Sequence, residues 1–158
     1  MHIRRASKSD IQGIQRVAEV TWRSAYDGVL RPDTVDNVLA EFYSEDSLKH
    51  SLEHPAVVFL VAEDNEQVVG FIQALPRPGK TDYELTRLYI LPEYQRRGIG
   101  RQLQLNVEQQ LDGRRLWVLV EQDIRGAIAF FHALGFTGQR TLELPIFGET
   151  LPFLEMSK

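Results

Sequence analysis

The chain has 158 residues, 43% of them hydrophobic and 25% charged, which suits one folded domain over residues 1–158 and excludes the disordered class. A formal net charge of −4 argues against nucleic acid as a partner, and the absence of cysteine excludes disulfides and catalysis through a thiol. The charged start has no apolar signal segment behind it, and no stretch reaches the ~18 apolar residues that cross a bilayer, so we expect a cytoplasmic protein without a membrane partner.

The N-terminal third is predicted to contain one strand and three helical segments. The stretch HIRRA, residues 2–6, has the character of a short strand, and the serine and aspartate after it form a capping-box-like helix start. The helix that follows carries apolar residues at helical spacing as far as Trp22. Pro32 suits the first turn of a second helix, and a shorter helical piece is expected near residues 47–52.

The middle of the chain alternates strands with one long helix. Two β-rich runs, residues 56–64 and 68–75, are separated by a short polar turn and predict an antiparallel hairpin. A third strand is expected over residues 83–91. Apolar residues at i, i+4 and i+8 then predict a helix that ends at Leu111, and the apolar run within residues 114–121 predicts a strand buried on both faces.

The C-terminal part completes the fold with a helix and a hairpin. The segment AIAFFHALGF predicts a helix closed by Gly135, and the last twenty residues predict a hairpin that turns near Gly148. The resulting order, β-αα-βββ-α-β-α-ββ, is that of an α/β (α+β) domain with a mixed, mostly antiparallel central sheet flanked by about four helices.

The hexapeptide QRRGIG stands where a strand ends and a helix begins. A helix that starts at Gly98 leaves its first N–H groups unpaired, and the positive end of the helix dipole lies at the same place. Glycines at 98 and 100 let an anion approach the backbone, and arginines add positive charge: Arg96, Arg97 and Arg101. We therefore predict a pyrophosphate site. The alternative is a structural turn whose arginines are only solvated.

Two further observations bear on this anion site. Between residues 87 and 115 there are six arginines and three acids, so the positive charge is local in a chain that is acidic overall. The P-loop pattern and the dinucleotide-binding glycine pattern are both absent, which excludes those two classes of phosphate site. If the turn binds phosphate, it does so in another kind of phosphate-binding protein.

The segment LYILPEYQRRGIG resembles motif A of the GCN5-related N-acetyltransferase (GNAT) superfamily, whose glycine turn holds the pyrophosphate of acetyl-CoA. AIAFFHALGF is similar to the family's motif B, and the predicted order of elements matches the family's fold, so the resemblance covers nearly the whole chain. It implies an enzyme that moves the acetyl group of acetyl-CoA to a primary amine by direct attack in a ternary complex. Acetyl-CoA would be the acyl-donor cosubstrate, and no metal is implied.

By this resemblance, the strand before the turn holds the cosubstrate through its main chain. Leu88, Tyr89 and Ile90 would pair with the pantetheine arm as with an added strand, and the N–H of Ile90 would stabilise the oxyanion. The resemblance places further cosubstrate contacts at Gln95, Arg96, Arg97, Gly98, Ile99, Gly100, Arg101, Phe130 and Phe131.

Amine attack on a thioester needs a base, and a carboxylate with a raised pKa suits that role. Glu84 is the first candidate because it lies eleven residues before Gln95, the offset of the catalytic glutamate in histone acetyltransferases of the superfamily. Strand alternation places Glu84 on the face of Thr86 and Leu88. Glu121, at the end of the next strand, is the second candidate. The alternative for Glu84 is an exposed or ion-paired carboxylate.

The family's general acid, a tyrosine of motif B, has no counterpart in this chain. The motif aligns Phe131 with that tyrosine and Ile124 with an asparagine. Return of the proton then depends on water, on unaided departure of the thiolate, or on Tyr89, Tyr43 or His132, each of which also has an ordinary structural explanation. The same gap leaves a second function open, a non-catalytic acyl-CoA-binding or sensing module.

Aromatic residues of the first two helices are the candidates for acceptor binding. Trp22 and Tyr26 are four residues apart, and together with Tyr43 they would line the acceptor pocket of a family member; packing between the two helices is the alternative. Acidic residues of the same region could attract a cationic acceptor such as a polyamine: Asp27, Asp33 and Asp36.

The resemblance implies a small-molecule or peptide amine as acceptor. A polyamine, an amino acid, a protein N-terminus, a lysine and an antibiotic all fit, and a homodimer is compatible with the family. His50 and His54 are four residues apart, but they lack the intervening glutamate pattern and a further ligand, so we expect no metal site.

Overall fold

A central sheet of seven strands organises the computed structural model, which describes residues 1–158. The strands are β1 (His2–Arg5), β2 (Val58–Asp64), β3 (Gln67–Pro76), β4 (Tyr83–Ile90), β5 (Leu116–Glu121), β6 (Thr137–Ile146) and β7 (Glu149–Ser157). The helices are α1 (Ile11–Ala25), α2 (Pro32–Phe42), α3 (Glu45–Glu53), α4 (Ile99–Leu111) and α5 (Ala127–Ala133), with short 3₁₀ turns at Lys8–Asp10 and Pro92–Tyr94.

The sheet has the order β1-β2-β3-β4-β5-β7-β6, and all neighbours are antiparallel except β4 and β5. The predicted class, a mixed and mostly antiparallel sheet flanked by helices, is confirmed. The helix count is five rather than four. The short piece expected near residues 47–52 is a full helix, α3, because the side chain of Ser44 accepts a hydrogen bond of 3.1 Å from the N–H of Ser47 and caps its start.

Tight turns close both predicted hairpins. The β2–β3 turn places Asn65 and Glu66 at positive φ, 49° and 63°, and the β6–β7 turn does the same with Phe147 and Gly148, at 44° and 84°. Two consecutive residues at positive φ give a turn whose twist matches that of the flanking strands. Gly135 follows α5 at a φ of +97°, so its predicted role in ending that helix is also confirmed.

Helices cover both faces of the sheet. Trp22 of α1 packs against Tyr89, whereas Gly100 of α4 approaches the side chain of Ile90. Since consecutive strand residues project to opposite faces, α1 and α4 lie on opposite sides of β4. The apolar stripe predicted for α4 is buried at Leu103, Val107 and Leu111. None of the five helices has the length and apolar content to span a membrane.

Candidate active site

A cleft opens between β4 and β5 because their ladder is short. The two strands pair in parallel only over Tyr83–Leu85 and Leu116–Val118. Beyond these residues both strands continue without pairing to each other, as far as Ile90 and Glu121. The space between the diverging ends is a cleft of about 460 Å³, and its wall contains both of those ends. The sheet is thus interrupted where it could accept an extended ligand.

The main chain of Ile90 faces this cleft. The N–H of Leu91 donates to the carbonyl of Val69 at 2.9 Å, so these two residues form a hydrogen-bonded pair of the β3–β4 ladder. Such pairs alternate with non-hydrogen-bonded ones, so Ile90, which lies opposite Gly70, turns its N–H and carbonyl away from β3 and toward the cleft. Leu88, two residues earlier, does the same. An extended ligand can pair with these groups as an added strand.

The turn before α4 presents unpaired amides. Gly98 is the N-cap of α4, as predicted, and has a φ of +81°, which favours glycine. The N–H groups of residues 96–101 have no acceptor within the chain, and the first helical bond runs from the N–H of Gln102 to the carbonyl of Gly98 at 3.0 Å. No atom lies within 4 Å of the place that a Cβ on Gly98 would take. An anion therefore has open access to these amides.

Gly100 has a packing role that was not predicted. A Cβ on Gly100 would lie 3.0 Å from Cζ of Phe130 and 3.1 Å from Cδ1 of Ile90, closer than ordinary contact allows. The absence of a side chain lets α4 pack tightly on these two residues. Gly100 therefore has a packing role that helps to position the turn, and it also borders the groove, whereas the position beside Gly98 is open.

Side chains anchor the turn before α4 and give it positive charge. Gln95 donates from Nε2 to the carbonyl of Ile90 at 2.9 Å, which ties the turn to the end of β4. Arg96 and Arg101 are exposed and line the groove beside the turn. The guanidinium of Arg97 lies 5.0 Å from the ring centroid of Tyr94 and outside that groove. Two of the three predicted arginines thus border the space that an anion would occupy.

The turn opens into a groove of about 680 Å³ between α4 and α5. The groove and the cleft share wall residues, among them Leu88, Ile90 and Phe131, so one passage leads from the turn to the diverging strands. Most of the predicted cosubstrate contacts line the groove: Leu88, Ile90, Gln95, Arg96, Gly98, Ile99, Gly100, Arg101, Phe130 and Phe131. The side chain of Tyr89 and that of Arg97 do not.

The end of the passage nearest α5 is apolar. Phe131 borders both the cleft and the groove and packs edge-on against Phe136, with ring centroids 5.4 Å apart. Ile124 also belongs to both walls. His132, one of the conceivable proton donors, is exposed and points away from both. Neither motif B position therefore offers a polar group to the cleft.

Two tyrosines line the cleft, Tyr26 and Tyr89. Burial raises the pKa of Tyr26, and the negative charge of Glu121 raises it further. Burial also raises the pKa of Tyr89, and the nearby Tyr43 adds to the effect. Both tyrosines therefore keep their protons at neutral pH. Tyr43 itself lies in an adjoining pocket.

The structure contradicts the predicted orientation of Glu84. The β3–β4 ladder contains a bulge that leaves Thr86 without a partner. The extra residue reverses the strand alternation, so Glu84 shares a face with Arg87 and not with Leu88. Glu84 also lies in the paired part of the β4–β5 ladder, opposite Trp117, and outside the cleft wall.

Glu121 is the carboxylate that borders the cleft. Its residue is 4% exposed, and neither carboxylate oxygen has a hydrogen-bond partner. Burial raises the pKa of Glu121, and the backbone N–H dipoles of Asp123 and Ile124 oppose part of that rise without forming a hydrogen bond to the carboxylate. Burial raises the pKa of Glu84 too, with the positive charge of Arg77 acting against it. The position of the two side chains thus favours the second candidate base over the first.

The predicted acceptor-side aromatics form one cluster. Trp22 stacks on Tyr26 with ring centroids 4.3 Å apart, and its Nε1 donates to the hydroxyl of Tyr43 at 3.3 Å. All three are buried, and Tyr89 packs against both Trp22 and Tyr43. Tyr26 lines the cleft, whereas Trp22 and Tyr43 line an adjoining pocket of about 260 Å³. The cluster therefore holds α1 and α2 together and also borders the cavities.

The other polar candidates lie elsewhere. Asp27, Asp33 and Asp36 are exposed and line neither the cleft nor the adjoining pocket, and the last two pair with arginines at 3.5 and 2.8 Å. They do not shape an acidic acceptor site, contrary to our expectation. His50 and His54 are also exposed, and the chain has no group of three or more residues that could hold a metal ion.

Arg87, for which no functional role was predicted, lies beside the aromatic residues that were predicted to bind the acceptor. Arg87 lines both the cleft and the adjoining pocket, and its guanidinium lies 4.7 Å from the ring centroid of Tyr43. The signal in the sequence was a charged residue near the centre of an otherwise largely apolar strand. Only the bulge at Thr86 decides which way such a residue points.

The fold and the passage define a class of protein that holds an anionic, extended ligand across an interrupted sheet. Residues 15–136 match the model of the acetyltransferase (GNAT) family. The chain therefore belongs to this family, and the resemblance noted from its motifs is confirmed.

Individual relatives agree with that assignment. The chain is 27% identical over 150 residues to a spermidine N(1)-acetyltransferase of Thermoplasma acidophilum, a match that covers 89% of this chain and 91% of the relative. The crystal structure of the PaiA N-acetyltransferase of T. acidophilum with coenzyme A superimposes with a TM-score of 0.88 at 24% identity and covers 99% of this chain and 97% of that one. A ribosomal-protein-alanine N-acetyltransferase of Brucella melitensis gives a TM-score of 0.73 at 25% identity over 100% and 99% of the two chains.

Proposed function

We propose that the protein is an acetyl-CoA-dependent N-acetyltransferase that moves the acetyl group to a primary amine by direct attack in a ternary complex. One observation carries the proposal: the unpaired amides of residues 96–101 and the outward-facing main chain of Ile90 open on the same passage. A ligand with a diphosphate at one end and an extended arm at the other fits such a passage. Acetyl-CoA supplies the activated acetyl group.

Each part of the passage would bind one part of the cosubstrate. The amides of the turn would hold the pyrophosphate, with Arg96 and Arg101 adding charge. The main chain of Leu88 and Ile90 would pair with the pantetheine arm. The acetyl group would then lie in the cleft between β4 and β5.

The residues at the cleft have distinct roles in this proposal. The N–H of Ile90 donates to the negative charge that develops on the thioester oxygen, and a donor of this kind contributes roughly 3 kcal/mol of transition-state stabilisation. Glu121 takes the proton of the attacking amine, since its buried and unpartnered carboxylate borders the cleft. Glu84 remains the rival base, and it would have to act through water because it lies outside the cleft wall.

A second function is favoured by a specific observation. Phe131 fills the position of the family's general acid, and no hydroxyl or imidazole replaces it on α5 at the cleft. A protein that retained the anion turn but had lost the proton donor would bind acyl-CoA without turning it over. Tyr26 and Tyr89 line the cleft and favour the enzyme, because a tyrosine can supply the proton from an element other than α5.

A paired assay separates the two functions. Acetyl-CoA binding is measured by the shift in thermal unfolding, where a ligand at 100 times its Kd adds about 2.7 kcal/mol. Turnover is measured as release of the CoA thiol with a panel of primary amines, and spermidine belongs in that panel because of the name of the T. acidophilum relative. We expect both stabilisation and turnover. Stabilisation without turnover on any amine supports the sensor, and absence of both overturns acyl-CoA binding altogether.

A further inference from the structure

Arg87 is a cation with unfilled hydrogen-bonding capacity on the acceptor side of the cleft. Its Nη2 donates to the carbonyl of Phe42 at 2.7 Å, and its guanidinium stacks over Tyr43. Its Nη1 is buried and has no partner, and no carboxylate pairs with it. A guanidinium keeps its charge at any pH a protein tolerates, so this charge stays uncompensated within the chain.

The pocket around Arg87 is otherwise apolar and aromatic. Its wall consists mainly of side chains from α1, α2 and the sheet: Trp22, Val38, Phe42, Tyr43, Leu75 and Tyr89. The one amide in the wall belongs to Gln73, which lies directly across the ladder from Arg87 and makes no hydrogen bond within the chain. Either end of that amide can be turned toward a ligand. A single anionic group would therefore satisfy Arg87 and Gln73 together.

The distribution of charge in the cleft disfavours a polyamine. The charged residues in its wall are Glu121, Arg87 and Arg125, so one acid stands beside two arginines. Glu121 can receive one ammonium group. A second ammonium group on the same acceptor would find no carboxylate in either cavity, since the nearby aspartates of α1 and α2 lie on the outer surface.

We propose that the acceptor is a primary amine that also carries a carboxylate, with Arg87 binding the carboxylate and Glu121 facing the amine. This inference rests on the proposed acetyltransferase function and names its substrate class. The aromatic walls of the pocket at Arg87 accommodate an apolar side chain, so an apolar amino acid is the simplest acceptor of this class. A guanidinium and a carboxylate form charge-assisted and often bidentate hydrogen bonds, which give the orientation that transfer requires.

The test compares matched amines at saturating acetyl-CoA. L-phenylalanine, 2-phenylethylamine and spermidine are assayed by release of the CoA thiol; the first two differ only in the carboxylate. We expect kcat/KM for L-phenylalanine to exceed that for each of the others by at least about tenfold, the discrimination available from one charge-assisted contact. Equal or better turnover of 2-phenylethylamine or spermidine overturns the proposal.

Substitutions tie the preference to Arg87. Arg87→Met removes the charge but keeps most of the apolar stem, and we expect it to abolish the preference for L-phenylalanine while acetyl-CoA affinity is unchanged. Arg87→Lys should retain part of the preference. Arg114→Met is the matched control, because Arg114 is exposed and lines neither cavity. A preference that survives in the folded Met variant contradicts the proposal.

A measurement of amine binding by thermal unfolding separates the proposed carboxylate subsite from the proposed acetyl transfer. The CoA-saturated protein is melted with and without L-phenylalanine, and the same is done with 2-phenylethylamine. We expect stabilisation by the amino acid alone, lost in Arg87→Met and partly retained in Arg87→Lys. If no amine is turned over but this stabilisation is observed, transfer fails and the carboxylate subsite stands. If amines are turned over without it, the subsite fails and transfer stands.

Discussion

Gln95 donates a hydrogen bond of 2.9 Å from Nε2 to the carbonyl oxygen of Ile90. Four residues of chain lie between the two, and they contain the 3₁₀ turn that links β4 to the anion turn. The bond therefore holds the amides proposed for the pyrophosphate at a fixed distance from the amide proposed for the thioester. In the proposed complex, the placement of both the pyrophosphate and the thioester would depend on that distance.

Gln95→Ala should raise KM for acetyl-CoA several-fold and lower kcat, because a loosened turn misaligns both ends of the cosubstrate. Steady-state thiol release over a range of acetyl-CoA concentrations measures both constants. Gln102→Ala is the control, since its side chain is exposed on α4 and makes no hydrogen bond. Unchanged constants in the Gln95 variant would show that the turn keeps its position without this bond.

Gly98 offers a clean test of the anion turn. Gly98→Ala and Gly79→Ala impose the same strain, because both glycines have a left-handed φ, +81° and +69°, and neither Cβ would meet an atom within 4 Å. We expect a similar stability loss of about 1 kcal/mol for each. Only the Gly98 variant should lose affinity for acetyl-CoA, by about tenfold.

A second pair of substitutions places a negative charge at the same two glycines. Gly98→Glu should abolish binding of acetyl-CoA, because a carboxylate would occupy the space before the unpaired amides, whereas Gly79→Glu should bind like the wild type. Isothermal titration with CoA measures the affinity. Wild-type affinity in Gly98→Glu would remove the turn from the binding site.

The two candidate bases can be ranked by turnover. Glu121→Gln should reduce kcat by about 10²-fold or more, within the range of lost general-base catalysis, with little change in CoA affinity. Glu84→Gln should have a much smaller effect, because Glu84 lies opposite Trp117 in the paired ladder and not in the cleft. The pH profile of kcat gives the second readout, since its acidic limb should disappear only in the Glu121 variant. The reverse ranking would restore Glu84 as the base.

Some features of this site could be predicted because they depend only on local sequence pattern and on strand pairing. The position of Gly98 at the start of α4 depends on local chemistry, a strand followed by glycine and an apolar stripe, and it was predictable. The direction in which the N–H and carbonyl of Ile90 point can also be deduced, once β4 is known to pair with β3. These features need only short-range pattern and strand pairing.

The faces to which the side chains of Glu84 and Arg87 point could not be predicted in this way. One unpaired residue at Thr86 reverses the strand alternation, and it moves Glu84 off the expected face and brings Arg87 to the pocket lined by Trp22 and Tyr43. Nothing in the residues TRL marks that bulge. The role of Gly100 was missed for a related reason, because the contact with Phe130 joins α4 to a helix distant in sequence. Tertiary packing, and not local propensity, decides both.

The buried carboxylate of Glu121 should lower the stability of the folded protein. Its pKa is raised by burial, so the folded state holds the proton more tightly than the unfolded state, whose Glu pKa is about 4.3. Stability from this group is therefore fully present below that pH and is lost as pH rises through the folded-state pKa. Glu121→Gln removes the ionisation, and we expect it to stabilise the protein at pH 7.5 by roughly 1 kcal/mol, the lower end of the cost of a buried unsatisfied group.

Thermal unfolding of both proteins at pH 4 and at pH 7.5 measures the effect. The difference in Tm between Glu121→Gln and the wild type should be small at pH 4 and should increase toward pH 7.5, because only the wild type gains an unpartnered negative charge. Glu143→Gln is the control, since Glu143 is exposed on β6 and forms no hydrogen bond or ion pair. Equal shifts for the two variants, or a Glu121 variant less stable at pH 7.5 than the wild type, would mean that the carboxylate has a stabilising partner in the folded protein. A gain in stability together with the loss of turnover would identify Glu121 as a residue retained for function at the expense of stability.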